Sequence, residues 1–205
     1  AVVGAAGSIG RTCAEIMCKR TGKLSLIGLA KDPLAEIADD LRAKGPAEIA
    51  ISNDVEQGIK DADIVITVSS AVDAIIQPSF IKSGAVVCDV ARPRDVSVAV
   101  VKERDDVLVI EGGVVAVPGD VDFRFNFGFP PKTAYACMSE TMMLALDSRY
   151  ENFTLGKDLT VKQVEEIGTI GEKHGFKLAG FRSFEKAVTD EHIESVRAAV
   201  KKRKR

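Results

Sequence analysis

Two features of this chain could carry chemistry: a cysteine on one helix and a set of glycines at the start of another. Cys137 lies in PKTAYACMSETMML, residues 131–144. Two roles stand open for it: a small apolar filler, common for a free cysteine, or a nucleophile that bonds to a carbonyl substrate. On a helix over 132–146 its neighbours at i−4, i+3, i+4 and i+7 are Thr133, Glu140, Thr141 and Leu144, a mixed face. The apolar stripe runs instead through Tyr135, Met138, Met142, Ala145 and Leu146. Pro130 and Pro131 mark the expected helix start, about two turns before Cys137. Oriented amides at that end favour negative charge, and thiolate is the reactive form of cysteine. The residue pattern by itself leaves both roles open.

Gly4, Gly7 and Gly10 form a GxxGxxG pattern directly after an apolar run and at the start of a helical one. Glycines there let the backbone turn tightly and approach a pyrophosphate, whose charge meets the amides of a helix N-terminus. The expected cofactor loop is Gly4, Ala5, Ala6, Gly7, Ser8, Ile9 and Gly10, with Arg11 following. An NAD site usually places Asp or Glu at the end of the second strand. Here Leu29 and Ala30 stand at that point and Lys31 follows. Lys31, helped by Arg11, suits a 2′-phosphate, so NADPH is the expected cofactor and NADH the lesser alternative. Ser69 and Ser70 end the fourth strand, and Gly112 and Gly113 follow the sixth. Ligands gather at those ends in this architecture, so these four either border the nicotinamide and ribose or serve ordinary turns. Asp89, at the end of the fifth strand, reads as a turn residue.

The elements that must position these groups alternate between strand and helix. AVVG, KLSLIGLA, AEIAIS, ADIVITVSS, GAVVCDVA and DVLVIEGG read as short β-branched strands of a parallel sheet buried on both faces. Between them lie helical stretches in SIGRTCAEIMCKRTG and DPLAEIADDLRAKG, and shorter ones near Val55 and Pro78. The fold class is α/β, a Rossmann-type doubly wound parallel sheet with C-terminal helices. The boundary is drawn after residue 130, giving a nucleotide-binding domain over 1–130 and a helical region over 131–205 that carries Cys137. VDFRFNFGFPP alternates Phe with other residues, which predicts a strand with an aromatic face. Its Phe123, Phe125, Phe127 and Phe129 pack a core or line an acyl tunnel. Helices are expected over TVKQVEEIGTIGEKHG and DEHIESVRAAVKKRK.

The bulk properties exclude several classes. A chain of 205 residues with 46% hydrophobic and 28% charged residues has the composition of a globular protein. Its net charge of −2 favours neither nucleic acid nor an anionic membrane as partner. The terminal KKRKR reads as a solvated tail. Cys13, Cys18, Cys88 and Cys137 have no CxxC spacing and only two histidines accompany them, so no metal site is expected. Thiols scattered in this way suit a reducing cytoplasm, and no apolar run approaches the ~20 residues of a membrane span. The opening AVVG begins inside a strand, so an N-terminal domain is expected to precede this chain.

TAYACMSETMML, the block YENFTLGKDLTVKQVEEIGTIGEKHGF, the opening AVVGAAGSIG and the EGGVV after the sixth strand together carry a resemblance. In order and spacing they are similar to the long-chain acyl-[acyl-carrier-protein] reductases of cyanobacterial type, from Ala1 to about Leu178. The resemblance implies reduction of an acyl thioester to an aldehyde with NADPH, the residue matching Cys137 holding the acyl group as an enzyme thioester. It also implies a partner, an acyl carrier protein or a CoA thioester. The chain departs from that family at Leu155, where a Trp is usual, and at Ala91 and Arg92, where a glycine–tyrosine pair is usual. Two alternatives remain: a shikimate- or amino-acid-dehydrogenase-like enzyme with direct hydride transfer, and a nucleotide-binding module without catalysis. His174, one residue before Gly175, suits a helix end better than a general acid.

Overall fold

The computed structural model describes residues 1–126, 128–156 and 158–203. The chain forms two compact units, Ala1–Ile110 with Val188–Arg205, and Glu111–Ala187. The change-over thus lies at Glu111 rather than after residue 130, and the last helix belongs with the first unit.

The first unit contains β1 (Val2–Val3), α1 (Ser8–Cys18), β2 (Lys23–Ile27), α2 (Lys31–Arg42), β3 (Glu48–Ser52), α3 (Val55–Ile59), β4 (Ile64–Thr67), a 3₁₀ turn (Pro78–Phe80), β5 (Val86–Asp89), α4 (Val98–Glu103) and β6 (Leu108–Glu111). The strands form one parallel sheet in the order β3-β2-β1-β4-β5-β6. Chain direction across the sheet reverses between β1 and β4, and the crevice at that point is where such sheets bind ligands. Val2 lies opposite Leu26 on one side and Ile66 on the other, and Val3 opposite Ile27 and Thr67. A strand enclosed in this way has no solvent face, so successive residues are apolar and both valines are buried. Ala14 and Cys18 of α1 join Leu34, Ile37 and Leu41 of α2 over Leu24 and Leu26. Each such Leu or Ile contributes about 1.5–3 kcal/mol by leaving water.

The closing helix of this unit rests on the opposite end of the strands. Within it, Val196 is buried and the His192 Nε2–H donates to the Val107 carbonyl at 3.0 Å. Arg203 donates to Ser83 O at 2.6 Å and pairs with Asp63 at 2.5 Å. The basic tail is therefore anchored at Arg203, while Lys204 and Arg205 lie outside the described residues.

Arg104 closes the loop before β6. Its Nη1 donates to Pro78 O at 2.6 Å and Ile81 O at 2.9 Å, and its other nitrogens grip both oxygens of Asp106 at 2.7 and 3.0 Å. That grip holds the Asp106 carboxyl at about 2, below its ordinary 3.8. A depressed carboxylate pKa stabilises the fold above the ordinary value, and the contribution is lost as pH falls through about 2. Arg104→Ala is expected to cost about 2–3 kcal/mol near neutrality, since two carbonyls lose their donor. It should also flatten the loss of melting temperature between about pH 5 and about pH 2. Thermal melts of both proteins across that range measure this; an unchanged acid limb would refute the assignment.

The second unit holds β7 (Val114–Ala116), β8 (Thr133–Tyr135), α5 (Ala136–Leu146), α6 (Val161–His174), β9 (Lys177–Leu178), β10 (Arg182–Ser183) and β11 (Lys186–Ala187). The closing helix of the first unit is α7 (Asp190–Arg203). β8, β7 and β9 make an antiparallel sheet in that order, and β10 with β11 a separate hairpin. Met143, Leu144, Ile170 and Phe176 form the core between α5 and α6. A side chain at Gly171 would meet the Met143 Cε at 3.1 Å, so the small residue allows the close approach. α6 opens with a reciprocal cap between Thr160 and Gln163 and stops at Gly175, which has φ 82°.

Among the described residues of VDFRFNFGFPP the expected strand does not form. Arg124 and Gly128 have φ of 51° and 80°, in the left-handed region, so the alternation breaks. Asp122 and Asn126 drive this by accepting the backbone N–H two residues on, at 2.8 and 2.7 Å. Phe125 is 69% exposed, and Phe129 meets Tyr135 edge-on with centroids 4.8 Å apart. Phe127 lies outside the described residues. Among the described residues no helix is long and apolar enough to cross a membrane.

Candidate active site

The glycine turn joins β1 to α1. Gly4 has φ 80°, and a Cβ on it would stand 2.8 Å from Val68 O and 3.0 Å from Ser69 N. A Cβ on Gly10 would lie 2.1 Å from Gly4 O. Both positions are therefore limited to glycine by backbone, one because β4 passes behind the turn, the other because α1 sits directly on it. Gly7 is different: it is exposed, and a Cβ there would touch only Gly4 O at 3.4 Å. It caps α1 without any side-chain bond, and the first turn of α1 holds no acidic residue. Free amides without a competing carboxylate form a cradle for a phosphate. Ala5 is buried and its N–H bonds Ile27 O at 3.1 Å, so it shapes the turn from within. Ala6, Ser8 and Ile9 line the open side. A nicotinamide dinucleotide is the cofactor class that this turn and its sheet position fit.

Lys31 is the first residue of α2 and exposed, beside Leu29, which is fully exposed. Arg11 is engaged elsewhere: its Nη2 pairs with Asp40 at 3.1 Å, and Asp40 also binds Lys44. Both cations hold the Asp40 carboxyl below its ordinary range, Lys44 more strongly than Arg11.

At the end of β4 the structure reveals a residue that the sequence pattern did not single out. Asp95, fully buried, accepts from Thr67 Oγ1, from Ser69 N at 3.0 Å and from Ser69 Oγ at 2.5 Å. Ser69 Oγ in turn accepts from Ala71 N at 3.1 Å, so this hydroxyl holds the loop rather than facing a ligand. Asp89 accepts from Ala91 N at 3.1 Å and Val96 N at 3.0 Å, as expected of a turn residue. Burial pushes its carboxyl up. Asp95 stands 26 residues from Ser69 in sequence; an acid placed just after the strand-end turn ARPR was its one local signal. Ser70 is exposed.

In the second unit Gly113 lies beside Ala136, the residue before Cys137. The register places Val114 opposite Tyr135, and Ala136 N donates to Gly113 O at 2.8 Å. Gly113 has φ 80° and open space where a Cβ would stand. Because β8 runs extended to Tyr135, α5 starts at Ala136 and Cys137 is its second residue, closer to the positive end than the prolines implied. α5 has neither a side-chain cap nor an acidic residue in its first turn. Its buried face is Ser139, Met143 and Leu144, while Ala145 and Leu146 are exposed, so the apolar stripe lies one step round from the expected one. Cys137 is exposed. Cys18 is buried, and burial pushes the thiols of Cys13, Cys18 and Cys88 up. Among the four, Cys137 is the thiol open to a substrate.

His174 ends α6 with Nε2 3.1 Å from Asp147 Oδ1, and Lys173 binds the same oxygen. Lys173, then His174, holds the Asp147 carboxyl below its ordinary range. The Lys173 ammonium stands in the last turn of α6, where it offsets exposed carbonyls. Among the described residues no group of three or more His, Cys, Asp or Glu is placed to hold a metal ion.

The chain is 31% identical over 198 residues to the aminotransferase PigE of Serratia sp., covering 94% of this chain and 23% of that protein. It is 29% identical over 184 residues to the long-chain acyl-[acyl-carrier-protein] reductase of Synechococcus elongatus, covering 86% of this chain and 52% of that protein. The chain thus spans about a quarter and about half of these two relatives. The match to the first takes in most of the segment after Leu178, where no resemblance was evident. The nucleotide-binding domain of Thermoplasma volcanium glutamyl-tRNA reductase aligns with a TM-score of 0.40 at 20% identity, over 53% of this chain and 71% of that one. Residues 1–111, more than half of the chain, match the family model described as shikimate / quinate 5-dehydrogenase. With a parallel six-stranded sheet, a glycine cradle at its switch point and that match, the chain belongs to the shikimate / quinate 5-dehydrogenase family, as an NAD(P)-binding, oxidoreductase-like domain.

Proposed function

We propose that this protein reduces an acyl thioester to an aldehyde, with NADPH as cofactor and Cys137 as nucleophile. The observation that carries this reading is the exposed Cys137 thiol at the start of α5, tied through Ala136 to the open backbone of Gly113. In the first step the Cys137 sulfur attacks the thioester carbonyl. A carbon–sulfur bond forms to the protein, and the bond to the carrier sulfur breaks. The carrier leaves as a thiol, with the proton that Cys137 gave up. The backbone of Gly112 and Gly113 offers N–H groups to the oxyanion. When bound, NADPH supplies the hydride that takes the acyl carbon to the aldehyde level. The Cys137 sulfur then leaves that carbon and regains a proton from solvent. Gly4, Ala6, Gly7, Ser8 and Ile9 would hold the pyrophosphate, and Lys31 the 2′-phosphate.

The family match favours a second reading, direct hydride transfer to a small carbonyl compound without a covalent intermediate. The matched segment ends at residue 111, however. Cys137 lies beyond it, in the part shared with the acyl-[acyl-carrier-protein] reductase, whose match covers 86% of the chain. Incubating the protein with an acyl thioester and no cofactor distinguishes the two: a gain of one acyl mass on Cys137 supports the first, and no adduct the second.

For the cofactor, Lys31→Ala is expected to weaken NADPH by about fivefold to tenfold, ~1 kcal/mol, and to leave NADH nearly unaffected. Fluorescence titration of both cofactors measures it. Equal affinities in the unaltered protein would overturn the NADPH assignment.

A further inference from the structure

A groove of about 540 Å³ runs along the second unit between α5 and the segment 149–155. Its α5 wall is Glu140, Thr141, Leu144 and Ala145. These are the i+3, i+4, i+7 and i+8 neighbours of Cys137, so the groove continues the helix face that presents the thiol. Thr141 Oγ1 donates to Cys137 O at 3.3 Å, binding the two turns together. Asn152 and Phe153 stand on the opposite wall, and Thr154 Oγ1 reaches across to Glu140 Oε1 at 2.5 Å. The segment is held from behind, where Gln163 Nε2 donates to Phe153 O. Arg149 lies 5.1 Å from the Phe153 ring centroid and pairs with Glu151 and Glu166.

Leu144, Ala145, Tyr150, Phe153 and Leu155 give the groove apolar wall, but Glu140, Thr141, Asn152 and Thr154 interrupt it, so an unbroken fatty chain fits it poorly. Covering a carboxylate, an amide and hydroxyls with methylenes would strip their water and return no hydrogen bond, at a cost of about 1–3 kcal/mol for each. It suits a chain in which amides alternate with short alkyl runs. From Cys137 to Ala145 the helix face extends about 12 Å, at 1.5 Å per residue. Resting on the thioester reading above, we infer that this groove holds the pantetheine arm of the substrate, its sulfur end at Cys137, its amides against Glu140, Thr141 and Asn152, and its methyl groups against Leu144 and Phe153. The acyl group then leaves Cys137 in another direction. Coenzyme A and acyl carrier protein both present this arm.

Ala145 is exposed, so Ala145→Phe can fill the groove without entering the core. The first measurement needs no catalysis: Cys137→Ala protein is titrated calorimetrically with pantetheine, coenzyme A and holo-acyl carrier protein. Adding Ala145→Phe is expected to weaken pantetheine by about tenfold or more. Binding of coenzyme A but not the carrier protein, or the reverse, identifies the source of the arm; binding of neither, nor of pantetheine, overturns the inference. The second measurement compares acyl transfer to Cys137 from acyl-pantetheine and from acyl-N-acetylcysteamine, which lacks most of the arm. The unaltered protein should favour the full arm by about tenfold, and Ala145→Phe should bring that ratio near one. If the effect of Ala145→Phe scales with acyl length instead, the groove holds the acyl chain and the inference fails. Should Ala145→Phe not fold, Asn152→Ala tests the same ratio, with a fall expected and an unchanged ratio refuting. Absence of any adduct on Cys137 would count against the thioester reading, while the calorimetric arm still decides the groove.

Discussion

Cys137→Ala is expected to reduce aldehyde formation by about a thousandfold or more while leaving NADPH affinity intact. The size follows from the role: without the sulfur no acyl-enzyme forms, and the remaining groups only position the substrate. Nucleotide binding should survive because Gly4 to Arg11 and Lys31 belong to the other compact unit. Intact-mass analysis should show one acyl group on the unaltered protein, none on Cys137→Ala, and loss of the group when NADPH is added. Cys13→Ala, Cys18→Ala and Cys88→Ala should still acquire it, since burial pushes all three thiols up and away from the reactive form. A Cys137→Ala protein that reduces substrate at a near-normal rate would eliminate the covalent route and leave direct hydride transfer.

The second large effect is expected at Gly10. A Cβ there would sit 2.1 Å from Gly4 O, 2.8 Å from Gly4 C and 2.9 Å from Ala5 Cα, all of them backbone atoms. No side chain can rotate away, so α1 must move off the glycine turn. Gly10→Ala should cost ~3 kcal/mol of stability or more. It should also weaken dinucleotide binding by about a hundredfold, because the amides of α1 lose their alignment. Gly168→Ala is the control. It lies within α6 with nothing near the added methyl, and should raise stability by about 0.5–1 kcal/mol through helix propensity alone. Thermal melts and cofactor titrations of the two variants give opposite signs if the crowding at Gly10 is real; equal melting temperatures would refute it.

The sheet and its cofactor turn were legible in the residues because their causes are local. A strand covered on both faces must be apolar at successive positions, as Val2, Val3, Val65 and Val87 are. A backbone at φ 80° against β4 admits only glycine, and Gly4 announces it. The exposure of Cys137 was likewise foreshadowed by its mixed helix face. What the tertiary structure decided depends on residues distant in sequence. Pairing with β7 keeps Thr133 to Tyr135 extended, which delays α5 until Ala136 and brings Cys137 to its second position, one residue past the Ala136 that bonds Gly113. Asp122 and Asn126 break the alternation at Arg124 and Gly128 by binding the backbone N–H two residues on, and among the described residues no strand pairs with this segment. Asp95 acquires its place only when the chain after β5 returns to β4, 26 residues away from Ser69. α7 could not be assigned to the first unit from its own pattern, because the surface that buries Val196 is built from elements more than eighty residues earlier, as the bond from His192 to Val107 records. Local propensity sets which segments become strands, helices and turns; which of them meet is settled by burial and hydrogen bonding summed over the folded chain.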